Sequence, residues 1–235
     1  MGGPGPFARA LASLDPPHWE PAAGAPPSGA ETAALWRAVV PGPGPALESM
    51  AEQLAGEARV RAATMAHPLR RAQFVTGQAL RRAVSSPSGA FSLSHTGDWV
   101  AAAVCGCGPL GVDAETARAR RSMERLARRF FSPEEHALVA GCGPEELPVF
   151  FYALWTAKEA RIKALSRDRA HPAPVSLLAL LETDTAAFTV TGPTLCIPLS
   201  EGRMHWCWLA PGVLCACLVP HAAATLRFWE WRPAG

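Results

Sequence analysis

The pattern of apolar and polar positions changes character several times along the chain. ALWRAVV (34–40) is a short apolar run closed by PGPG (41–44), which predicts a strand and then a turn. From Ala46 to about Met65 the composition is helical. A second helix carries Ala72, Val75, Ala79 and Ala83 at helical spacing. SSPSGA (85–90) predicts a turn, and FSLSHTGDWVAAAV (91–104) reads as a hairpin with TGD at its tip. CGCGPLGVDAE (105–115) gives a loop and a further strand, and TARARRSMERLARRFF a helix with Met123, Leu126, Ala127 and Phe130 on one face. Ser132-Pro133-Glu134-Glu135 is a helix start, with Ser at the N-cap, Pro at the first position and Glu at the third. The longest helix covers 146–166. Short strands follow: AAFTV, TLCIPL, MHWCWLA, GVLCACLV and TLRFWEW.

Strands and helices mix without a regular βαβ alternation, so the expected class is α+β. Residues 1–32, rich in Ala, Gly and Pro, read as a mostly disordered tail with a short helical piece around Phe7–Leu14. Beyond it, 33–110 and 111–235 each combine helices with strands. The chain has 235 residues, 49% hydrophobic and 18% charged, which is globular rather than disordered composition. The net charge of +2 says little about partners, so electrostatic arguments rest on local clusters. Seven cysteines without a C-x-x-C read as buried thiols rather than a metal site, and suit a reducing, cytoplasmic setting. The N-terminus lacks the order of a secretory signal, and no apolar run reaches spanning length, so no membrane association is expected.

Candidate chemistry begins at GVDAET (111–116). In an extended segment Asp113 and Glu115 share one face and Ala114 takes the other. Two close carboxylates repel unless a cation or proton sits between them, and oxygen ligands with open positions suit Mg²⁺. The plain alternative is a pair of solvated strand-end acids. In WTAKEARIK (155–163), Trp155, Glu159 and Lys163 fall near one helical stripe, with Lys158 turned aside. A surface Glu–Lys pair at that spacing contributes about 0.2–0.5 kcal/mol. The stripe shared with Trp155 is expected to face protein, however, which places Glu159 and Lys163 at a cleft edge. There Glu159 would be a third carboxylate beside Asp113 and Glu115. Ser94 and His95 are adjacent in a strand, point to opposite faces and cannot be a nucleophile–base pair. Arg59, Arg61, Arg70 and Arg71 are a candidate phosphate cluster. Arg118, Arg120, Arg121, Arg125, Arg128 and Arg129 lie together with one acid, Glu124. No aromatics interleave with them as a single-stranded nucleic-acid groove requires, so nucleic acid is not the expected partner. The patch is either a solvated face or a steering surface for an acidic protein.

In order, SLSHTGDW, GVDAE, RRFFSPEE and FYALWTAKEARIKA resemble the 4′-phosphopantetheinyl transferases of the long single-chain type, which activate carrier proteins of peptide and polyketide synthases. The resemblance runs over about 91–165 and continues more loosely to 231 and back to about Ala34. It implies a pseudo-dimer of two similar α+β halves, monomeric as a chain, with the active site in the cleft between them. It also implies Mg²⁺-dependent transfer of phosphopantetheine from coenzyme A to a serine of an apo acyl or peptidyl carrier protein. By that resemblance Asp113, Glu115 and Glu159 hold the metal, and Glu159 is also the base for the carrier serine. Lys163 and Lys158 contact the diphosphate, and His95 holds a phosphate of coenzyme A, with Thr96 where the family usually has Ser. Glu135 falls where the family has an acid near the metal, although its capping-box position is itself a sufficient reason for it. Arg118, Arg120, Arg121 and Arg125 lie where the family docks its carrier partner.

Two departures concern the coenzyme A half. The Gly-Lys/Arg-Pro stretch common before the Ser-His strand is absent, because only SSPSGA separates Val84 from Phe91. The arginine often found about four residues before Gly77 is replaced by Gln73 or Phe74, leaving Arg70 or Arg71 to substitute. Two other readings stay open: a non-catalytic carrier- or coenzyme A-binding module, and another Mg²⁺-dependent phosphoryl-transfer enzyme acting on a nucleotide. The second lacks a Gly-rich phosphate loop.

Overall fold

Two five-stranded sheets stack face to face, and each carries one long helix on its outer side. The computed structural model describes residues 6–23, 31–86, 89–165, 188–223 and 225–233. The first sheet is built from β1 (Glu20–Ala22), β2 (Thr32–Val39), β3 (Ala90–Thr96), β4 (Trp99–Cys105) and β10 (Thr225–Trp231), in the order β1-β10-β2-β4-β3. The second is antiparallel throughout and uses β5 (Gly111–Thr116), β6 (Thr189–Thr191), β7 (Thr194–Leu199), β8 (Gly202–Ala210) and β9 (Val213–Val219), in the order β5-β9-β8-β7-β6. Helices α2 (Pro45–Glu52), α3 (Gly56–Thr64) and α4 (Pro68–Val84) lie on the first sheet's side. The second sheet's side takes α1 (Pro6–Ala12), α5 (Met123–Phe130), α6 (Pro133–Gly141) and α7 (Glu146–Leu165). This is the α+β class expected from the pattern.

Strand alternation divides the core into three layers. Trp36, Ala102 and Val104 meet α4, whereas Leu35, Ala101 and Ala103 meet the second sheet. On that sheet Cys207, Cys215 and Cys217 face inward between the sheets, and Trp206, Ala216 and Leu218 face α7. Strand β9 is buried along its whole length, which explains the unbroken apolar run VLCACLV. All seven cysteines are free thiols, five of them buried. Strand β4 ends at Cys105, so Cys107 lies in the loop beyond it, its thiol 3.9 Å from that of Cys105.

Several sequence expectations change here. The single helix over 46–65 is two, because Gly56 takes a left-handed backbone (φ 53°) and starts α3 afresh. Within the expected tail, residues 6–23 are folded. Phe7 meets the rings of Phe150, Phe188 and Trp206 edge to face, Leu11 is fully buried, and the Trp208 indole donates to the Leu11 carbonyl (3.2 Å). Apolar burial outweighs the flanking Gly and Pro there. The half 111–235 also gives up its last strand: β10 runs parallel between β1 and β2 in the first sheet. Of AAFTV, residues 186–187 lie outside the described residues, and the strand is Thr189–Thr191.

Candidate active site at the seam between the sheets

The two sheets meet where β3 crosses β5, and the join is made by side chains. Along SLSHT every second residue bears a hydroxyl. Ser92 Oγ accepts the Val112 N–H (3.0 Å), Ser94 Oγ that of Ala114 (3.3 Å) and Thr96 Oγ1 that of Thr116 (3.3 Å). These β5 amides point away from β9 and would otherwise be unpaired at a sheet edge. His95, between two of the hydroxyls, points the other way and is exposed, as strand geometry requires.

Helix α7 closes over the other side of β5. Its packed stripe is Ala153, Ala157, Ala160 and Ala164, not the Trp155–Glu159–Lys163 stripe expected to face protein. The reason is at Gly111, where a Cβ would stand 1.9 Å from the Ala160 carbonyl oxygen. Only small residues permit that approach. Trp155 instead sits at the rim, edge-on to Phe130 and stacked on Phe151. Glu159 and Lys163 follow it along the rim, half-buried and partly exposed respectively.

Asp113 and Glu115 face α7, and Val112 and Ala114 face the inter-sheet core. Asp113 Oδ1 accepts from Ser94 Oγ (2.8 Å) and Lys163 Nζ (2.8 Å). Its Oδ2 is buried and has no hydrogen-bond partner among the described residues. The Lys163 ammonium also donates to the carbonyls of Val112 (3.0 Å) and Leu93 (3.4 Å), so one cation ties α7 to both seam strands. Glu115 lies 3.4 Å from Thr96 Oγ1. Burial, and then the Asp113 charge, push the Glu115 pKa up, against the pull of Arg120, Thr96 and Lys163.

Among the described residues no three His, Cys, Asp or Glu side chains are gathered closely enough to hold a metal ion. Asp113, Glu115 and Glu159 therefore do not form a closed cage. The donor set nevertheless fits a hard cation. Asp113 Oδ2, which no described residue hydrogen-bonds, and Glu115, crowded by the Asp113 charge, are oxygen donors of the kind a divalent ion takes.

The expected coenzyme A contacts divide. His95 is partly desolvated and lies near Lys163 and Arg70, which holds its pKa below the usual value, while a backbone hydrogen bond and Asp113 oppose the shift. Gln73, buried on α4, donates to the Gly97 carbonyl (2.8 Å) and so steadies the hairpin tip beside His95. Arg59 and Arg70 are exposed, and Arg61 lies over the Phe74 ring (4.8 Å). Arg71 forks onto both Glu48 oxygens (2.7 and 2.8 Å), a structural pairing. Thr96 is buried in the seam. Lys158 Nζ pairs with Glu135 Oε2 (2.8 Å), and Glu135 is fully buried. The capping box is realised, since Glu135 Oε2 accepts the Ser132 N–H (2.8 Å) and Ser132 Oγ accepts that of Glu135 (3.2 Å). Arg118, Arg120, Arg121 and Arg125 are all exposed, with Arg120 reaching over Tyr152 (5.8 Å). Sequence reasoning missed the seam role of Ser92, Ser94 and Thr96, and the close approach at Gly111. The signal for the first was the hydroxyl at every second position of SLSHT.

Residues 109–217, which hold β5, α5 to α7 and β6 to β8, match the sequence model of the 4′-phosphopantetheinyl transferase superfamily. Over that segment the chain is similar to that superfamily. It is similar to the 4′-phosphopantetheinyl transferase AcpT of Salmonella typhimurium, 34% identical over 112 residues, which cover 44% of this chain and 58% of the relative. The 4′-phosphopantetheinyl transferase HetI of Nostoc sp. is 28% identical over 187 residues, 68% of this chain and 75% of the relative. A Bacillus subtilis 4′-phosphopantetheinyl transferase is 34% identical over 82 residues, 35% of each chain. The match thus spans 58% of the length of the Salmonella relative. The superfamily segment holds Asp113, Glu115, Glu159 and Lys163 and leaves His95 and the α3–α4 arginines outside it.

Proposed function

We propose that this protein transfers 4′-phosphopantetheine from coenzyme A to a serine hydroxyl of an apo acyl or peptidyl carrier protein, with Mg²⁺, releasing 3′,5′-ADP. The observation that carries the reading is the buried Asp113 Oδ2, which no described residue hydrogen-bonds, beside Glu115 and Lys163 at the seam, within the superfamily segment. Asp113, Glu115 and Glu159 would hold the cation. When bound, it neutralises the diphosphate oxygens and polarises the phosphorus under attack.

The chain's own groups divide the remaining work. Glu159 accepts the serine proton, directly or through water, help worth about 10²–10⁴-fold. The serine oxygen bonds to the phosphorus bearing the pantetheine arm, and the bond from that phosphorus to the bridging oxygen breaks. The electron pair leaves on 3′,5′-ADP. Lys163, which also donates to Asp113, would stabilise that departing charge. His95, neutral near pH 7 in the free protein, takes up a proton as a phosphate settles against it. The exposed arginines of the segment through α5 present a basic surface to an acidic carrier.

The test is to incubate the protein with apo carrier protein, coenzyme A and Mg²⁺, and to weigh the carrier by mass spectrometry. A carrier heavier by one phosphopantetheine supports the reading. Carrier binding without that mass change overturns it in favour of a non-catalytic module. Glu159→Gln should abolish transfer while the near-ultraviolet circular dichroism stays unchanged, and an active variant refutes its assigned role.

A further inference from the structure

We propose that Ser94 is the positioning residue of the metal-facing carboxylate, holding Asp113 so that Oδ2 alone is offered to the cation. This rests on the metal reading above. A serine hydroxyl has one proton to give, and at Ser94 it goes to Asp113 Oδ1 (2.8 Å) while the oxygen accepts the Ala114 N–H (3.3 Å). Ser94 and Asp113 are both buried, each 7% exposed, so water does not replace that donor. Lys163 donates to the same Oδ1 (2.8 Å). An aspartate carboxylate otherwise turns freely about its last bond and exchanges its two oxygens. Two donors on one oxygen, from β3 and from α7, stop that exchange. What is left is Oδ2, buried and with no hydrogen bond from a described residue.

The seam supplies an internal comparison. Ser92 makes the same kind of bond one step along, accepting the Val112 N–H (3.0 Å), but the residue beside that amide is Gly111, which has no carboxylate. Thr96 repeats the Ser94 arrangement more loosely, accepting from Thr116 (3.3 Å) with Glu115 at 3.4 Å. Ser92 therefore joins the sheets only, whereas Ser94 joins them and also orients a ligand.

The experiment measures Mn²⁺ affinity by electron paramagnetic resonance, without coenzyme A, on the full chain. Ser94→Ala should weaken binding about 10–100-fold, the usual loss when a ligand's hydrogen-bond partner is removed. Ser94→Thr should restore it, because Thr96 shows that the seam accepts a threonine. Ser92→Ala should lose comparable thermal stability and leave Mn²⁺ affinity unchanged. Equal losses in Ser92→Ala and Ser94→Ala, or none in Ser94→Ala, overturn the proposal. If Ser94→Ala does not fold, Ser94→Cys keeps the volume with a far weaker donor, and undiminished affinity there overturns it equally. Failure of the metal reading itself looks different. In that case wild-type protein binds no Mn²⁺, or Asp113→Asn binds it as well as wild type, and the positioning role falls with it.

Discussion

Replacing Gly111 with alanine tests whether the site depends on how closely α7 rides on β5. The added Cβ would lie 1.9 Å from the Ala160 carbonyl oxygen, 2.8 Å from the Ala164 nitrogen and 2.9 Å from the Ala160 carbonyl carbon. All three are backbone atoms, so no rotamer change relieves the clash. An ordinary contact begins near 3.4 Å, and the helix must therefore withdraw by about 1.5 Å at this turn. Overpacking costs about 1–3 kcal/mol and more where backbone must move, which for a chain of this length lowers Tm by roughly 2–12 °C. The displaced turn lies between Glu159 and Lys163, so the 2.8 Å bond from Lys163 to Asp113 opens with it. Thermal unfolding followed by near-ultraviolet circular dichroism should show the stability loss, and transfer activity should fall further than the folded fraction. Gly141, a residue of α6 whose Cβ would meet nothing within 4 Å, is the control: Gly141→Ala should leave activity unchanged and should not lower Tm. A Gly111→Ala protein with wild-type Tm and activity would refute the close-approach argument.

Two further outcomes follow from buried polar groups. Burial pushes the His205 pKa down from 6.5 to about 4, with Arg203 adding to the shift, so the folded state resists a proton that the unfolded chain accepts. That stability is fully present above pH 6.5 and is lost as pH falls towards 4, amounting to about 2–3 kcal/mol near pH 4.5. Wild type should therefore lose more Tm than His205→Phe between pH 7.5 and 4.5, and parallel curves would refute the assignment. Lys158→Met removes the cation paired with the fully buried Glu135 carboxylate, a loss of about 3–5 kcal/mol. A larger effect on KM for coenzyme A than on Tm would return Lys158 to the phosphate-binding role that the sequence suggested.

What was legible in the sequence was local. The capping box at Ser132 and Glu135, the TGD hairpin and the long helix through WTAKEARIK depend on residues within one turn or one hairpin, and the structure contains each of them. Asp113 and Glu115 share a face because strand alternation allows nothing else. The errors concern partners distant in sequence. TLRFWEW reads as a strand, but nothing in its pattern says that it lies parallel between β1 and β2, nearly two hundred residues away in register (Trp229 opposite Trp36). Phe7 and Leu11 read as a short helical piece, and α1 is that helix, but their Gly- and Pro-rich neighbours hid its packing, because the apolar surface that receives it comes from Phe150 and Trp206. Glu135 had a sufficient local explanation at its cap, and that hid its second partner, Lys158, on another helix.

The seam shows how a site can be encoded without a local signature. In SLSHT the hydroxyls alternate with Leu93 and His95, a pattern that any half-buried antiparallel strand could show. Its meaning depends on β5 arriving with unpaired amides at 112, 114 and 116, in register with the three hydroxyls. Once that register is set, the carboxylate at 113 must fall beside Ser94, the glycine at 111 beside Ser92 and the glutamate at 115 beside Thr96. GVDAE is then constrained from both sides. Its even positions must be apolar for the inter-sheet core, and its odd positions run from no side chain at 111, where α7 presses in, to carboxylates where the cleft opens. Inserting one residue into β5 would turn Asp113 and Glu115 into the core. The register of two sheet edges is thus what converts an ordinary strand pair into a place for charge.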